Sequence, residues 1–366
     1  MFGLQRVLRR ADVLRVVAAA AMFCASPAIA ADAPAGLPLV WVFSTGGTIA
    51  GSGSSATDFS NYKAGSITGE DLVKGVPQLA QVATIKVEQV VNVNSSDLTI
   101  PDLLTLSRRI NETLADPKVA GVVVTHGTNT LEETAYFLNL TVKSDRPVVV
   151  VGSMRPATAI SADGPLNLLN AVRVASAPEA RGKGALIVMN DEINAARDTT
   201  KTNTFRVETF RAPELGLLGY VDEDKVAFYR TSTKRHTINS EFDVRALKEL
   251  PLVDVLYSYI QPSPGLFQAL VAAGNKGIIF AATGDGELTK FEKASVATLG
   301  TAKGPKPVLV RASRTGNGRV LATVDYDKMG VIPADNLNPQ KARILLMLAL
   351  TRTSDPKEIR RMFAEY

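Results

Sequence analysis

The sequence predicts an α/β protein with a large, mostly parallel sheet followed by a smaller α/β region. Three observations lead to this prediction. From Pro38 onward, short apolar runs of strand length alternate with helical segments. Strand–helix–strand units at this spacing form right-handed crossovers between parallel strands, with helices on both faces of the sheet. A polar, charged stretch near residues 230–251 interrupts the alternation, which then resumes, so the 366 residues divide into two domains.

Residues 1–30 precede this pattern and have the order of a secretory signal peptide. Arginines occupy positions 6, 9, 10 and 15, an apolar stretch follows, and Ala28-Ile29-Ala30 has the small residues of a cleavage site. A membrane anchor is the weaker alternative, because the apolar stretch is shorter than the roughly 20 residues that a spanning helix needs. We therefore expect a periplasmic protein that has no membrane attachment after cleavage.

Removal of this segment changes the charge and the cysteine content of the chain. The formal net charge of +5 falls to +2, because the segment has four arginines and one aspartate. No basic stripe with interleaved aromatic residues is left, which argues against a nucleic-acid partner. Cys24, the only cysteine, leaves with the segment. The mature chain would then have no disulfide, no cysteine nucleophile and no thiolate metal site.

The elements of the larger domain, residues 31–230, follow from hydrophobic periodicity. Strands are predicted at 38–43, 121–125, 148–152 and 185–190, and helices at 101–114, 131–142 and 165–175. Pro101 lies in the first turn of its helix, a position that tolerates proline. Thr130 and Glu133 have the spacing of a capping box at the start of the next helix.

The smaller domain, residues 252–366, repeats the alternation after a predicted linker at 231–251. Its strands are predicted at 253–260, 276–283 and 306–313, and its last helix at 338–351. Elsewhere, the segment GSGSSATDFSN (51–61) consists of small and polar residues that pack poorly. We expect it to be a mobile loop.

Two hydroxyl-rich turns follow predicted strands, STGGTIAG (44–51) and THGTNT (125–130). Ligands bind outside the carboxyl ends of the strands in open parallel sheets. The first turn lacks the lysine and spacing of a phosphate loop and the third glycine of a dinucleotide fingerprint. It is compatible with a nucleophile-bearing loop, and also with a purely structural glycine turn. The second turn opens a helix, whose N-terminus favours an anionic group.

A threonine nucleophile such as Thr48 needs a base. The chain has only two histidines, His126 and His236, and the second is in the predicted linker, which argues against a Ser–His–Asp triad. His126 either orients a neighbouring group or braces its turn. Lys201, in ARDTTKTNTF, is a candidate base near Thr128 if burial lowers its pKa. The alternative for Lys201 is a solvated surface lysine.

Five segments together resemble the bacterial type II asparaginase and glutaminase-asparaginase family. They are TGGTIAG, THGTNTLEETAYFL, GSMRPATAISADGPLNLLNAV, RDTTKTNT and LNPQKAR, and the resemblance covers residues 38–366. It implies two α/β domains and a homotetramer assembled as a dimer of intimate dimers. It also implies active sites between the N-terminal domain of one subunit and the C-terminal domain of its partner. The implied reaction is hydrolysis of a side-chain amide to the acid and ammonia, without a cofactor or metal.

The resemblance also assigns roles to individual positions. Thr48 matches the primary nucleophile, and Tyr62 matches the tyrosine that assists it. Thr128 and Lys201 match the second threonine and the lysine of the family's other triad. Ser95 matches the serine that holds the α-carboxylate of the substrate.

Four positions depart from the family pattern, all around the amino end of the substrate. Asn129 replaces an aspartate, and Ser96 replaces a glutamine or glutamate. Thr323 falls where the partner subunit usually supplies a glutamate, and Glu287 falls where an asparagine is usual. Since a buried ammonium without a counter-charge is costly, two substrate predictions stay open. Either Glu287 replaces the lost carboxylate and asparagine remains the substrate, or the substrate lacks a free α-ammonium, as in N-acylated, peptide-linked or deaminated analogues.

A non-catalytic periplasmic binding protein on the same fold is the alternative from another class. Thr48, Tyr62, Thr128 and Lys201 are all present, and a protein that only binds its ligand has no need of this set. We therefore expect an amidohydrolase.

Overall fold

The computed structural model describes residues 36–300 and 304–366. The strands in chain order are β1 Leu39–Gly46, β2 Ser52–Gly53, β3 Tyr62–Lys63, β4 Thr84–Val93, β5 Val119–Thr125, β6 Val148–Val151, β7 Ala185–Met189, β8 Glu192–Ala195, β9 Thr200–Lys201, β10 Phe210–Arg211, β11 Gly219–Val221, β12 Val226–Phe228, β13 Val253–Tyr257, β14 Gly277–Ala282, β15 Val308–Ser313 and β16 Val331–Pro333. The α-helices are α1 Gly69–Lys74, α2 Ile100–Leu114, α3 Leu131–Thr141, α4 Gly164–Ser176, α5 Pro264–Ala272, α6 Lys290–Ala297, α7 Val324–Lys328, α8 Pro339–Leu350 and α9 Pro356–Glu365. The predicted signal peptide, with Cys24, lies outside the described residues.

The larger sheet has the strand order β12-β11-β8-β7-β6-β5-β1-β4. Strands β4, β1, β5, β6 and β7 are parallel, whereas β8, β11 and β12 are antiparallel to their neighbours. Every residue of β6 and β7 is buried, so neither face of the sheet is open there. Apolar runs without alternation are typical of such doubly covered strands, which is why the central strands could be predicted from sequence.

The smaller sheet is fully parallel, in the order β13-β14-β15-β16. One face packs with α5 and α6 around residues such as Phe267 and Phe280. The other face packs on α8, which also contacts α3 of the larger domain. The residues around α8 therefore form one hydrophobic core with the larger domain. These two sheets confirm the predicted fold class. The prediction that 338–351 is the last helix is wrong, because the amphipathic α9 follows α8.

The predicted linker does not run free between the sheets. Phe242 and Val244 are fully buried in the shared core, and the hydroxyl of Ser240 donates to the carbonyl of Leu140 on α3. His236 in the same segment is also buried, with its Nδ1 2.9 Å from Thr237 Oγ1. Because the segment is mostly polar, its few buried apolar residues could not be recognised from sequence.

The predicted capping box at α3 is wrong. Thr130 is the residue before the helix, but its side chain makes no capping hydrogen bond. Its hydroxyl instead donates to the carbonyl of Ser95, 2.7 Å away. Glu133 is partly buried, and burial, opposed by nearby Arg343, raises the pKa of its carboxyl group. The hydroxyl of Thr130 thus joins two loops rather than closing the end of a helix.

Candidate active site

The two hydroxyl-rich turns meet at one edge of the larger sheet. Strands β1 and β5 are parallel neighbours with Ser44 opposite Thr125, so both turns leave the sheet at the same height. Gly47 has a φ of +82°, and a Cβ on it would lie 2.1 Å from the Cα of Gly127. No side chain fits between these loops. The glycines therefore allow the backbones that carry Thr48 and Thr128 to touch.

Thr48 lies against Tyr62 in this cleft. The Thr48 Oγ1 and Tyr62 OH atoms are 2.7 Å apart, and Thr48 is almost fully buried. Tyr62 begins β3, which pairs with β2 in a small hairpin that follows the glycine turn. Two hydrogen bonds connect this region to residues 157 and 158. Gly53 N donates to Thr158 Oγ1 at 2.8 Å, and Ala157 N donates to the Gly51 carbonyl at 2.9 Å.

Thr128 is paired with Lys201. Lys201 Nζ donates to Thr128 Oγ1 at 2.9 Å and lies 3.5 Å from Asn129 Oδ1. Burial lowers the pKa of the Lys201 ammonium, and the negative charge of Glu132 acts in the opposite direction. A lysine with a lowered pKa holds its neutral, basic form at lower pH than an exposed one. The alternative of a solvated surface lysine does not fit this position.

Ser95 lies behind the second turn. Its side chain is only 2% exposed, its hydroxyl has no hydrogen-bond partner among the described residues, and a Cβ on Gly127 would lie 2.7 Å from its Oγ. A buried hydroxyl without a partner is costly unless a ligand satisfies it. The Ser95 hydroxyl is therefore a candidate contact for a polar group of a ligand.

Asn129 and Ser96 contact each other beside this hydroxyl. Asn129 Nδ2 donates to Ser96 Oγ at 3.0 Å and to Asn94 Oδ1 at 3.3 Å. Its Oδ1 faces the ammonium of Lys201. Asn129 therefore uses the donor half of its amide toward serine and the acceptor half toward lysine. An aspartate at this position would lack the donor half.

Glu287 is not joined to this cluster by any hydrogen bond among the described residues. It follows β14 in the smaller domain, where it forms an ion pair with Lys293 and accepts a hydrogen bond from Tyr326 OH at 2.9 Å. The hydrogen bond from Lys293 holds the pKa of this carboxyl below its ordinary value. Thr323 is the exposed residue before α7 in the same domain. Both residues belong to the face that the resemblance assigns to a partner subunit.

His126 fits the bracing interpretation. The ring is fully buried, and its Nδ1 lies 2.7 Å from the carbonyl oxygen of Gly127, the next residue. Its Nε2 is buried without a partner among the described residues. Burial lowers the pKa of His126 to about 4, so the ring is neutral at pH 7. A neutral ring that is hydrogen-bonded to the backbone of its own turn stabilises the conformation of that turn.

Sequence reasoning missed Glu132 and Asn94. Glu132 is buried and accepts hydrogen bonds from the backbone of Lys201 and from the side chain of Gln340. Asn94 contacts both Ser96 and Asn129. Glu132 could have been noticed from sequence. It lies in the first turn of a buried helix just after the apolar strand and the threonine-rich turn, and glutamate is rarely buried. No sequence pattern distinguishes Asn94.

Residues 36–300 and 304–366 contain no group of three or more histidine, cysteine, aspartate or glutamate side chains arranged to hold a metal ion. Within the same ranges, no helix combines the length and the apolar character needed to cross a bilayer.

Comparison with known protein families identifies the family of this chain. Residues 39–234 match the family described as "Asparaginase, N-terminal", and residues 252–363 match the "Glutaminase/Asparaginase C-terminal domain". The chain therefore belongs to the asparaginase family and is a hydrolase. This membership argues against the non-catalytic binding protein.

Three comparisons illustrate the similarity. L-asparaginase 2 of Bacillus subtilis is 51% identical over 330 residues, which cover 90% of this chain and 87% of that protein. The glutaminase-asparaginase of Pseudomonas fluorescens biotype A is 48% identical over 331 residues, which cover 89% of this chain and 90% of that protein. The crystal structure of a probable cytoplasmic L-asparaginase from Campylobacter jejuni superposes with a TM-score of 0.87 at 47% identity, covering 90% of this chain and all of that one.

Proposed function

We propose that this enzyme hydrolyses the side-chain amide of L-asparagine or L-glutamine to the acid and ammonia with Thr48 as nucleophile. The observation that carries the proposal is that each of two threonine hydroxyls in one cleft is hydrogen-bonded to a side chain that can transfer a proton. Tyr62 lies on Thr48, and Lys201 lies on Thr128. The names of the relatives from Bacillus subtilis and Pseudomonas fluorescens support both amide substrates.

In the proposed first step, the Thr48 oxygen attacks the amide carbon while its proton passes to the Tyr62 oxygen, and Tyr62 passes its own hydroxyl proton to the amide nitrogen, so the phenol stays neutral. The tetrahedral intermediate carries a negative oxygen, which the backbone N–H of Thr128 stabilises. Collapse of the intermediate breaks the C–N bond, and the nitrogen leaves as ammonia with the proton received from Tyr62. Water then attacks the threonine ester and gives one proton, through the Thr128 hydroxyl, to the neutral amine of Lys201. The C–O bond to Thr48 breaks as that proton is returned to the Thr48 oxygen, which releases the acid and free Thr48.

The other residues would hold the substrate. Ser95, with its unpartnered hydroxyl, would bind the α-carboxylate. Asn129 and Ser96 would face the amino end, and neither of these two side chains carries a charge. Glu287 would approach from a partner subunit in a homotetramer, but Lys293 already neutralises it.

These neutral groups favour one alternative substrate class. A buried α-ammonium that loses one charged partner costs roughly 2–5 kcal/mol. The same amide hydrolysis on an N-acylated, peptide-linked or deaminated analogue would avoid that cost. The pairing of Glu287 with Lys293 is the observation that favours this alternative.

Ammonia release from four amides tests the proposal. The panel is asparagine, glutamine, succinamate and N-acetyl-asparagine, each assayed with the wild-type enzyme and with Thr48→Ala as the blank. Turnover of asparagine above that of succinamate supports the amino-acid substrate. Preference for succinamate or N-acetyl-asparagine supports the alternative. Absence of ammonia from every amide would refute the proposal.

We also propose that the protein acts in the periplasm after removal of residues 1–30. The arginine-rich start, the apolar stretch and the small residues before position 31 support this location. N-terminal sequencing of protein recovered from the periplasm of expressing cells tests it, since retention of Met1 would contradict cleavage. Sedimentation of the purified protein would test the tetramer.

A further inference from the structure

The buried carboxylate of Glu132 lies between the cleft and the smaller domain. Glu132 is the second residue of α3 and is 6% exposed. One oxygen accepts the backbone N–H of Lys201 at 2.9 Å. The other accepts the side-chain amides of Gln340 and, at 3.5 Å, Asn338. A single carboxylate thus joins the strand that carries Lys201 to the first turn of α8.

The strand β9 needs such support, because it is only two residues long. It pairs with the equally short β10, and isolated short hairpins are marginal in water. The residues before β9 are held by Lys341 of α8, whose Nζ donates to the carbonyls of Arg197 and Thr199. Lys341 N in turn donates to Asn338 Oδ1, the cap of α8.

We infer that Glu132 is a positioning residue for the proposed hydrolysis: it fixes Lys201 against Thr128 and makes that placement depend on the first turn of α8. The inference rests on the proposed function, in which Lys201 accepts a proton. It adds a residue that touches neither the nucleophile nor the substrate.

Charge supports the same role. Glu132 on α3 is the ionisable group that acts on Lys201, whereas Lys341 on α8 is influenced by Glu132, Glu133 and the adjacent pair Arg197 and Asp198. Burial lowers the pKa of both lysines, and the Glu132 carboxylate raises both again. Loss of this charge should therefore move the titration of Lys201 to lower pH, whichever protonation state the reaction uses.

Glu132→Gln is the decisive variant and Glu133→Gln its matched control. Both remove one carboxylate from the same helical turn, but of these two carboxylates only Glu132 accepts a hydrogen bond from the backbone N–H of Lys201. Competitive acetylation with acetic anhydride across a pH series, with peptide mass spectrometry, reports the titration of Lys201 without reference to activity. In Glu132→Gln the labelling midpoint of Lys201 should fall by about one pH unit, as expected for a lost neighbouring opposite charge.

The kinetic expectation is a lower kcat with little change in KM, since Lys201 does not hold the substrate. A loss of roughly tenfold in kcat would correspond to a misplaced general base. An unchanged midpoint in Glu132→Gln, or an equal shift in Glu133→Gln, would overturn the inference. A lower melting temperature alone would mean that Glu132 only joins the domains.

Gln340→Leu keeps the test informative if Glu132→Gln does not fold. This variant preserves the Glu132 charge and removes its stronger link to α8. We expect kcat to fall roughly fivefold, the effect of one lost hydrogen bond, while the Lys201 midpoint stays in place. Unchanged kcat would refute the dependence on α8. Full activity in Thr48→Ala would instead refute the proposed function, and it would leave the labelling result intact.

Discussion

At the scale of single residues, the Thr48 hydroxyl is the atom on which the proposed chemistry depends. Thr48→Ala should reduce kcat by several orders of magnitude, because no other hydroxyl lies 2.7 Å from Tyr62 OH among the described residues. Thr48→Ser should retain part of the activity, since it keeps the oxygen. The measurement is ammonia release, with circular dichroism to check folding.

Thr45→Ala is a matched control for that experiment. Thr45 is also buried in the first turn, but its hydroxyl donates to the Thr125 carbonyl at 2.9 Å and faces the sheet. It should lose about 1 kcal/mol of stability and keep its turnover. Near-wild-type activity in Thr48→Ala, or abolished activity in Thr45→Ala, would contradict the assignment of the nucleophile.

Asn129 should determine how the enzyme handles an α-ammonium. Asn129→Asp preserves shape and restores a carboxylate, but it also places a charge near Lys201 Nζ, which lies 3.5 Å from Asn129 Oδ1. Succinamate, which lacks the ammonium, measures this second effect alone. The ratio of kcat/KM for asparagine to that for succinamate should rise roughly tenfold, or about 1.4 kcal/mol. An unchanged ratio would mean that position 129 does not recognise the amino group.

His126 should make the fold sensitive to acid. Its folded pKa of about 4 is below the ordinary 6.5, so between these values the unfolded chain binds a proton that the native state does not. The stability from this group is complete above pH 6.5 and is lost as the pH falls toward 4. The free energy of unfolding of wild type minus that of His126→Gln should drop by about 3 kcal/mol over that window.

Urea unfolding at several pH values between 7 and 4 measures this difference. His236→Gln is the control, because burial also lowers the pKa of His236 but leaves it less enclosed. The free energy of unfolding of wild type minus that of His236→Gln should change with pH in the same direction, but by less. A difference that stays constant with pH for His126→Gln would show that the buried ring does not govern acid stability.

At the scale of elements, the buried apolar strands could be predicted from sequence, whereas the ten-residue β4 and α9 and the two-residue strands could not. Strands β5, β6 and β7 are apolar runs that local periodicity defines. Strands β2, β3, β9 and β10 have two residues each and exist only because neighbouring loops hold them. Tyr62 and Lys201 lie on such strands. Motifs therefore indicated these two residues, whereas their placement depends on contacts such as Glu132 that no local pattern encodes.

The first turn of α8 should make stability rise with pH. Lys341 is fully enclosed, and burial lowers its pKa from the ordinary 10.5 to about 8. Between these values the unfolded chain binds a proton that the native state does not, so raising the pH favours folding. The free energy of unfolding of wild type minus that of Lys341→Met should increase by about 3 kcal/mol from pH 8 to 10.5.

Denaturant unfolding at alkaline pH provides the measurement. The exposed Lys357 on α9 offers a control, Lys357→Met, for the loss of one lysine. Its effect should be within about 0.5 kcal/mol at each pH, as for most surface substitutions. If the free energy of unfolding of wild type minus that of Lys341→Met decreases or stays constant as the pH rises, the environment of Lys341 does not lower its pKa.

At the scale of the whole molecule, the two sheets share one hydrophobic core despite their separate strand sets. Helix α8 packs on β13, β14 and β15 of the smaller sheet and on α3 beside the larger one. Buried Arg197, next to β9, donates to the carbonyl of Tyr366 and to Asn336 Oδ1 in the smaller domain. Sequence predicted two domains from the break in the alternation. It could not reveal this joint, because the joining residues are scattered along the chain.

We therefore expect the two domains to unfold together. Trp41, the only tryptophan, lies on β1 and reports on the larger sheet, whereas far-ultraviolet circular dichroism also includes α5 to α9. At one protein concentration, the denaturant midpoints of the two signals should coincide, as a single cooperative transition requires. Arg197→Met should move both midpoints down together, since leaving Asp198 without its buried partner costs about 3–5 kcal/mol. If the Trp41 signal and the circular dichroism separated in the wild type, the shared core would not couple the domains. If they separated only in Arg197→Met, the coupling would depend on that guanidinium more than on α8.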